Sequence, residues 1–323
     1  MTNHASRRVA IVLIALFFPL STYAQQLEAR DVLWQDRGNI SELDLIAGPG
    51  GSDHQPGTQF KFLKETLTGT SPKFEVQDEN GVKWKVKLGP EVRAETAATR
   101  LVWAAGYFVD EDYYRPQIHV DGLKPLTRGQ KYVRDGSTVM EARLERHHGG
   151  PDEAEWSWFD NSFIGTREFN VLRVMMALIN NWDLKDVNNA VYVGPDQNIY
   201  IVADLGAVLG NTGNSFTRSK GNAKDYANSS FIHKVAGQYV DFVLHSRPFL
   251  LTLVSFRNYR MRTKIEDLAK HIPIEDARWI GGQLGHLSSD QISDCFRAGG
   301  FSPTEVDTYT RVVVQRIAAL NQL

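Results

Sequence analysis

Asp183 and Asn188 stand five residues apart in the stretch Asn180-Asn181-Trp182-Asp183-Leu184-Lys185-Asp186-Val187-Asn188-Asn189, directly behind a long apolar run. A carboxylate and an amide at that spacing, in a loop on a rigid support, can hold a substrate hydroxyl and offer an amide oxygen to Mg2+. Twenty-one residues after Asp183 comes Asp204-Leu205-Gly206, where a carboxylate at the end of a β-rich run can complete a metal site. Cations stand upstream. Lys85 and Lys87 share one face of an alternating run by the period of two, while Trp84, Val86 and Leu88 take the other. Glu91 and Glu95 follow, four apart on one side of a helix, and either can pair with a strand lysine that holds a phosphate. The turn Thr68-Gly69-Thr70-Ser71-Pro72-Lys73 is short and rich in glycine and hydroxyls; it can aim N–H groups at phosphate oxygens, with Lys73 as an added point charge. The bland alternatives are a plain β-turn and two solvated lysines on an edge strand.

The elements that must carry these residues are legible from periodicity. Thr58 to Leu63, Lys73 to Asp78 and Lys83 to Leu88 alternate, and Asn80-Gly81 is a type I′ hairpin signal, which predicts three antiparallel strands. Pro90 and Gly106 bracket a helix over Glu91 to Ala105. Thr138 to Arg146 alternates again. Thr166 to Trp182 is apolar nearly all round and reads as a buried helix. Ala190 to Val193 and Asn198 to Ala203 form a hairpin across Gly194-Pro195-Asp196-Gln197. Asn211 to Ser230, rich in Asn, Ser, Gly and Lys, reads as a mobile surface loop. Ser288 with Gln291, and Ser302 with Pro303 and Glu305, are capping boxes. Cys295 shares a helix face with Ile292 and Phe296 and reads as core; the aromatic group Trp156, Trp158, Phe159 and Phe163 reads as packing.

Composition removes several classes of function. The chain has 323 residues, 42% hydrophobic and 23% charged, enough for a sizeable core. With 36 Lys plus Arg against 38 Asp plus Glu there is no basic excess to draw nucleic acid. A single cysteine excludes an internal disulfide framework. Arg7 and Arg8 precede an apolar run from Val9 to Leu20, too short to span a bilayer, and then Ser21 to Ala24. Residues 1–24 thus read as a signal peptide, with an uncleaved N-terminal anchor as the alternative. That predicts an exported protein, periplasmic or extracellular, with no membrane span once the signal is removed.

Taken in order, the single-Gly loop ending in Pro72-Lys73, the strand Val86-Lys87-Leu88, a helix with Glu95, Asn181-Trp182-Asp183 with Asn188, and Asp204-Leu205-Gly206 resemble an atypical branch of the protein-kinase-like superfamily. The resemblance is to HipA-like kinases, with kinship to phosphoinositide kinases, CotH-type kinases and Golgi secretory kinases, and covers about residues 58–210. The departures from ordinary protein kinases are a missing G-x-G-x-x-G loop, Trp182 where those have Arg, and Leu205 where they have Phe. The resemblance implies an α+β fold with two lobes. Residues 25–57 are an N-terminal extension, 58–148 a small antiparallel β lobe, and 149–323 a mainly helical lobe. It implies ATP and Mg2+ as cofactors: Lys87 on the phosphates, oriented by Glu95; Gly69, Thr70, Ser71 and Lys73 as the phosphate loop; Asn188 and Asp204 as metal ligands; Asp183 as catalytic base. Thr138 to Arg146 would lead into the hinge that holds adenine. The implied activity is phosphoryl transfer to a hydroxyl of a protein, glycan or small-molecule acceptor. The alternatives are an inactive kinase-shaped binding module of the cell envelope and an AMP-transferring enzyme.

Overall fold

The computed structural model describes residues 29–147, 154–213, 218–245 and 256–323, with 256–258 as backbone only. Residues 1–24 and most of the boundary at His147 to Pro151 lie outside the described residues. The fold is mixed α and β. After β1 (Arg30–Val32), a hairpin pair of long strands, β2 (Phe60–Thr66) and β3 (Lys73–Asp78), leads into β4 (Lys83–Leu88), α1 (Val92–Ala104), β5 (Asp112–Asp121), β6 (Val133–Arg134) and β7 (Thr138–Arg146). The sheet runs β4-β3-β2-β5-β7-β6, and β4 also pairs with β7, so five strands close into a small barrel. Most joins are antiparallel as expected, but β2 meets β5 in parallel, Phe60 opposite Val120. Phe74, Val76, Trp84, Val86, Val120 and Leu144 fill its interior. Closure puts Lys87 opposite Arg143 and Lys85 opposite Glu145, so the lysine strand is interior to the sheet and not an edge.

The turn at Asn80-Gly81 differs from the type I′ expectation. Only Gly81 is left-handed, at φ +81°, and Asp78 N–H bonds Val82 O, leaving a three-residue loop closed by glycine. The buried Asp78 carboxylate organises it, accepting from Asn80 N (3.0 Å), Val82 N (2.9 Å) and Trp84 Nε1 (2.8 Å). Asp78→Ala is expected to cost about 2–3 kcal/mol in urea unfolding, because it strands a buried indole N–H and two turn amides. A loss under about 0.5 kcal/mol would show the turn to be held by other contacts.

The rest of the chain encloses a larger core. It holds α2 (Arg167–Leu178), the hairpin β8 (Asn189–Val193) and β9 (Gln197–Val202), a short α3 (Ala223–Ala227), and a three-stranded sheet of β10 (Ile232–Ala236), β11 (Tyr239–Phe242) and β12 (Ile272–Pro273). It also holds α4 (Phe256–Asp267), α5 (Ile274–Leu284), α6 (Ser289–Ala298) and α7 (Pro303–Asn321). Both predicted capping boxes are present. Cys295 is buried and burial raises its thiol pKa. Trp156 and Trp158 are core residues with ring centroids 4.9 Å apart.

Residues 29–57 pack into this core through Leu33, Ile40 and Leu45, and β1 extends the hairpin by pairing with β9. α2 ends four residues short of the expected Trp182, because Asn180 turns left-handed at φ +55°. Its amide donates to Gly210 O and Ser229 Oγ, and its side-chain oxygen accepts from Arg316. The stretch expected as a mobile loop is partly pinned: Asn222 caps α3, and Tyr226 is fully buried with its hydroxyl donating to Leu178 O. Its single large aromatic outweighs the polar composition around it. Among the described residues no helix is long and apolar enough to cross a membrane.

Candidate active site

A cavity of about 320 Å3 opens where the barrel meets the loop after α2, and Gly69, Thr70, Ser71, Lys73, Lys87 and Glu95 line it from one side. Asp183, Asn188 and Asp204 line it from the other. Nine residues from five separate segments therefore share one space. Three devices position them. Closure of the barrel turns the Lys85, Lys87, Arg143 and Glu145 face toward the cavity. α2 is a rigid post for the loop Asp183–Asn188, and the β8–β9 hairpin returns the chain so that Asp204 stands at its exit.

Lys87 is the centre. It is 5% exposed, yet three carboxylates reach its ammonium: Asp204 at 2.7 Å, Glu95 at 2.8 Å and Glu91 at 3.1 Å. Burial opposes its charge, but Glu95 and Asp204 outweigh burial and raise its pKa. The choice between Glu91 and Glu95 resolves into two roles. Glu95 is buried, bridges Lys87 and Arg143, and has its carboxyl pushed up by burial in spite of both cations. Glu91 is shared with Ser71 (3.2 Å) and Lys220, and burial fails to raise it because Lys87 and Lys220 hold it down. Lys220 is thereby tied to Glu91, the residue that precedes α1. Arg218 stacks on Trp182, 4.1 Å from the ring centroid.

The loop Asp183–Asn188 is held from several sides. Asn181 Oδ1 accepts from Asp183 N (3.1 Å), Asp186 accepts from Trp158 N (3.0 Å), and the Asn188 amide donates to Asp183 O (2.9 Å). That last bond uses the Asn188 NH2, and its amide oxygen accepts no hydrogen bond among the described residues. Asp183 is paired with Lys185 and Arg262, each at 2.8 Å; against burial, these cations hold its carboxyl below the usual range. Asp204 carries an unusual backbone, φ +47°, a strained conformation that a β-carbon disfavours. Burial would raise its pKa, but Lys87 lowers it. Gly206 packs closely on Glu91: a Cβ there would sit 2.6 Å from Glu91 Oε2, so that carboxylate would have to move.

Two residues escaped the sequence reading. Arg143, 2% exposed, bonds Asp112 (2.7 Å) and Glu145 (3.0 Å), reaches Glu95 (3.3 Å) and lies 3.7 Å from Asp110. The alternation of Arg143 and Glu145 on one strand is its only local sign. Arg128 donates to the carbonyls of Thr66, Thr68 and Gly69, clamping the glycine turn from outside. Gly69 is left-handed at φ +72°. Beneath that turn, Lys73 forms no ion pair among the described residues, and its pKa is lowered by burial and by the charges of Lys85 and Lys87. An anion entering here would relieve that repulsion.

For a divalent ion the donors are hard oxygens: the exposed carboxylate of Asp204 and the amide oxygen of Asn188. One carboxylate and one amide, completed by phosphate oxygens, is a set that suits Mg2+. Glu91, Glu95 and Asp204 also approach one another closely enough to hold a cation, but the Lys87 ammonium occupies their centre.

No protein-family model matches the chain and no curated protein matches its sequence. Solved structures of similar chain path include a Helicobacter pylori proinflammatory kinase CtkA, with TM-score 0.48 and 12% identity, covering 83% of this chain and 98% of that one. The Golgi casein kinase gives TM-score 0.36 and 11% identity over 83% of this chain and 73% of its own. The Golgi casein kinase with Mn/ADP bound gives TM-score 0.33 and 11% identity over 82% and 75%. These are likenesses of chain path, and assignment of activity rests on the site itself.

Proposed function

We propose that the chain is a kinase-like phosphotransferase that moves the γ-phosphoryl group of ATP to an acceptor hydroxyl. One observation carries the reading: a buried lysine held by carboxylates lies in one cavity with Lys73, which forms no ion pair among the described residues and sits beneath a glycine turn, a clamped Asp183, and Asp204. Two cores with a cavity between them support a two-lobed kinase arrangement, with the barrel as the small lobe; α1 buries Ala97, Ala98 and Leu101 in the larger core, so the boundary between lobes does not fall simply at residue 148. In this scheme Lys87, Lys73 and the Gly69–Ser71 amides hold the phosphates, and Glu95 and Glu91 keep Lys87 in place. Asn188 and Asp204 would hold Mg2+, which neutralises charge on the phosphates. Ala190, Tyr192 and Ala203 offer a wall for the base.

Asp183, kept ionised by Lys185 and Arg262, is a weak base. It aligns the acceptor hydroxyl and takes its proton as the new P–O bond forms and the bond to the β-phosphate breaks, releasing ADP. Alignment and charge neutralisation supply most of the effect. In this reading the enzyme acts outside the cytoplasm, a location supported by the apolar segment behind Arg7 and Arg8 in the sequence.

Intact-mass analysis of acceptor mixtures after incubation with Mg-ATP tests the proposal. A gain of about 80 mass units marks phosphoryl transfer and about 329 marks AMP transfer. No gain, with nucleotide unbound, leaves a binding module. Within the same scheme, Arg128→Ala is expected to raise KM for ATP about three- to tenfold with kcat within twofold, since it loosens the turn without touching the acceptor side. An unchanged KM would remove the clamp from the scheme.

A further inference from the structure

A second cavity, of about 640 Å3, adjoins the first and shares Lys185 and Val187 with it. Its apolar surface comes from Phe159, Leu184, Val187 and Met261. Val187 is 65% and Met261 37% exposed, so this is an open groove and not a tunnel. Its rim is cationic. Arg260 and Lys264, four apart on one face of α4, border it with Lys185. Neither Arg260 nor Lys264 pairs with a carboxylate among the described residues; Lys264 lies 5.8 Å from the Phe159 ring centroid. The one carboxylate in the lining, Asp186, is turned to the Trp158 amide at 3.0 Å. Lys185 meanwhile donates to Asp183 at 2.8 Å, so a chain with its hydroxyl at Asp183 reaches the groove by crossing Lys185 and Val187.

We infer that this groove docks the acceptor, and that the acceptor is a polypeptide segment with an apolar side chain flanked by acidic residues close to its hydroxyl. The inference rests on the phosphotransferase reading and specifies its substrate class. Two cations that pair with no carboxylate among the described residues, beside an exposed apolar floor, complement an acidic, apolar strand, whose alternate side chains can meet floor and rim in turn. An acyl chain would leave its methylenes in water in so open a groove.

The test uses the full chain without nucleotide and reads fluorescence anisotropy of labelled peptides. One carries Ser flanked by Leu and Glu; its match has Lys in place of Glu. The acidic peptide should bind at least about tenfold more tightly, a difference of about 1.4 kcal/mol. Arg260→Glu combined with Lys264→Glu should erase that preference, and Met261→Asp should weaken binding of the acidic peptide, while ATP affinity and melting temperature stay unchanged. Equal binding of both peptides, or no response to the variants, overturns the docking site. So does capture of the chain by phosphatidylglycerol vesicles through the same two cations in place of the peptide. Peptide discrimination without phosphoryl transfer would instead sink the phosphotransferase reading alone.

Discussion

Asp183→Asn is expected to lower kcat for phosphoryl transfer about a hundred- to ten-thousandfold while leaving ATP affinity within about threefold of the parent. The carboxylate is the only group in the scheme that touches the acceptor hydroxyl, and its removal leaves the phosphate-holding residues in place. Lys185 and Arg262 grip the two carboxylate oxygens at 2.8 Å each; Asn keeps the shape and its one amide oxygen can still accept from one of them, while the other turns to water at the open cavity. The fold should therefore survive. Asp204→Ala makes the complementary prediction: transfer is abolished and ATP binding loses its dependence on Mg2+. Asp204 is exposed on the cavity wall, and Lys87 retains Glu91 and Glu95 without it. Steady-state rates with Mg-ATP, set beside calorimetric nucleotide affinities, separate the two effects. A kcat within tenfold of the parent for Asp183→Asn would remove that residue from catalysis.

Arg143→Met is expected to destabilise the protein by about 3–5 kcal/mol, read from urea unfolding. The guanidinium is nearly sealed from water and is shared by Asp112, Glu145, Glu95 and Asp110, so its loss strands several buried carboxylates at once. Burial already pushes the Asp110 carboxyl well up, even with Arg143 beside it. Without the guanidinium, Glu95 and Asp110 would be raised further. An acid whose pKa is higher in the folded state than in the unfolded one disfavours folding as pH rises above the unfolded value. The deficit of Arg143→Met should therefore shrink as pH falls from about 7 toward about 5. Arg297→Ala is the contrast. It breaks an ion pair to Asp294 in which the arginine is half exposed, and it should change stability by less than about 0.5 kcal/mol. Similar losses for the two variants would show that the Arg143 network contributes no more than a surface pair.

Much of what positions the site is local and was readable as such. The alternation in Lys73–Asp78 and Lys83–Leu88 coincides with β3 and β4, and the serine caps of α6 and α7 stand where their hydroxyl and carboxamide patterns put them. Lys87, Asp183, Asn188 and Asp204 were singled out by type and spacing, and they line one cavity. Other features had no local trace. The amide of Asn180 ends α2 early by reaching Gly210 and Ser229. Arg128 clamps a turn about sixty residues upstream.

The chain's own order of residues determined strands, caps and the chemical types available. Tertiary structure alone decided that β4 pairs with β7, that Glu91 and Glu95 both grip Lys87, and that Arg143 anchors the network. The reason is one of range. Periodicity and capping depend on neighbours a few positions away, whereas Lys87 and Asp204 are 117 residues apart. Which charges lose water, and so must find one another, is known only once the barrel has closed over them.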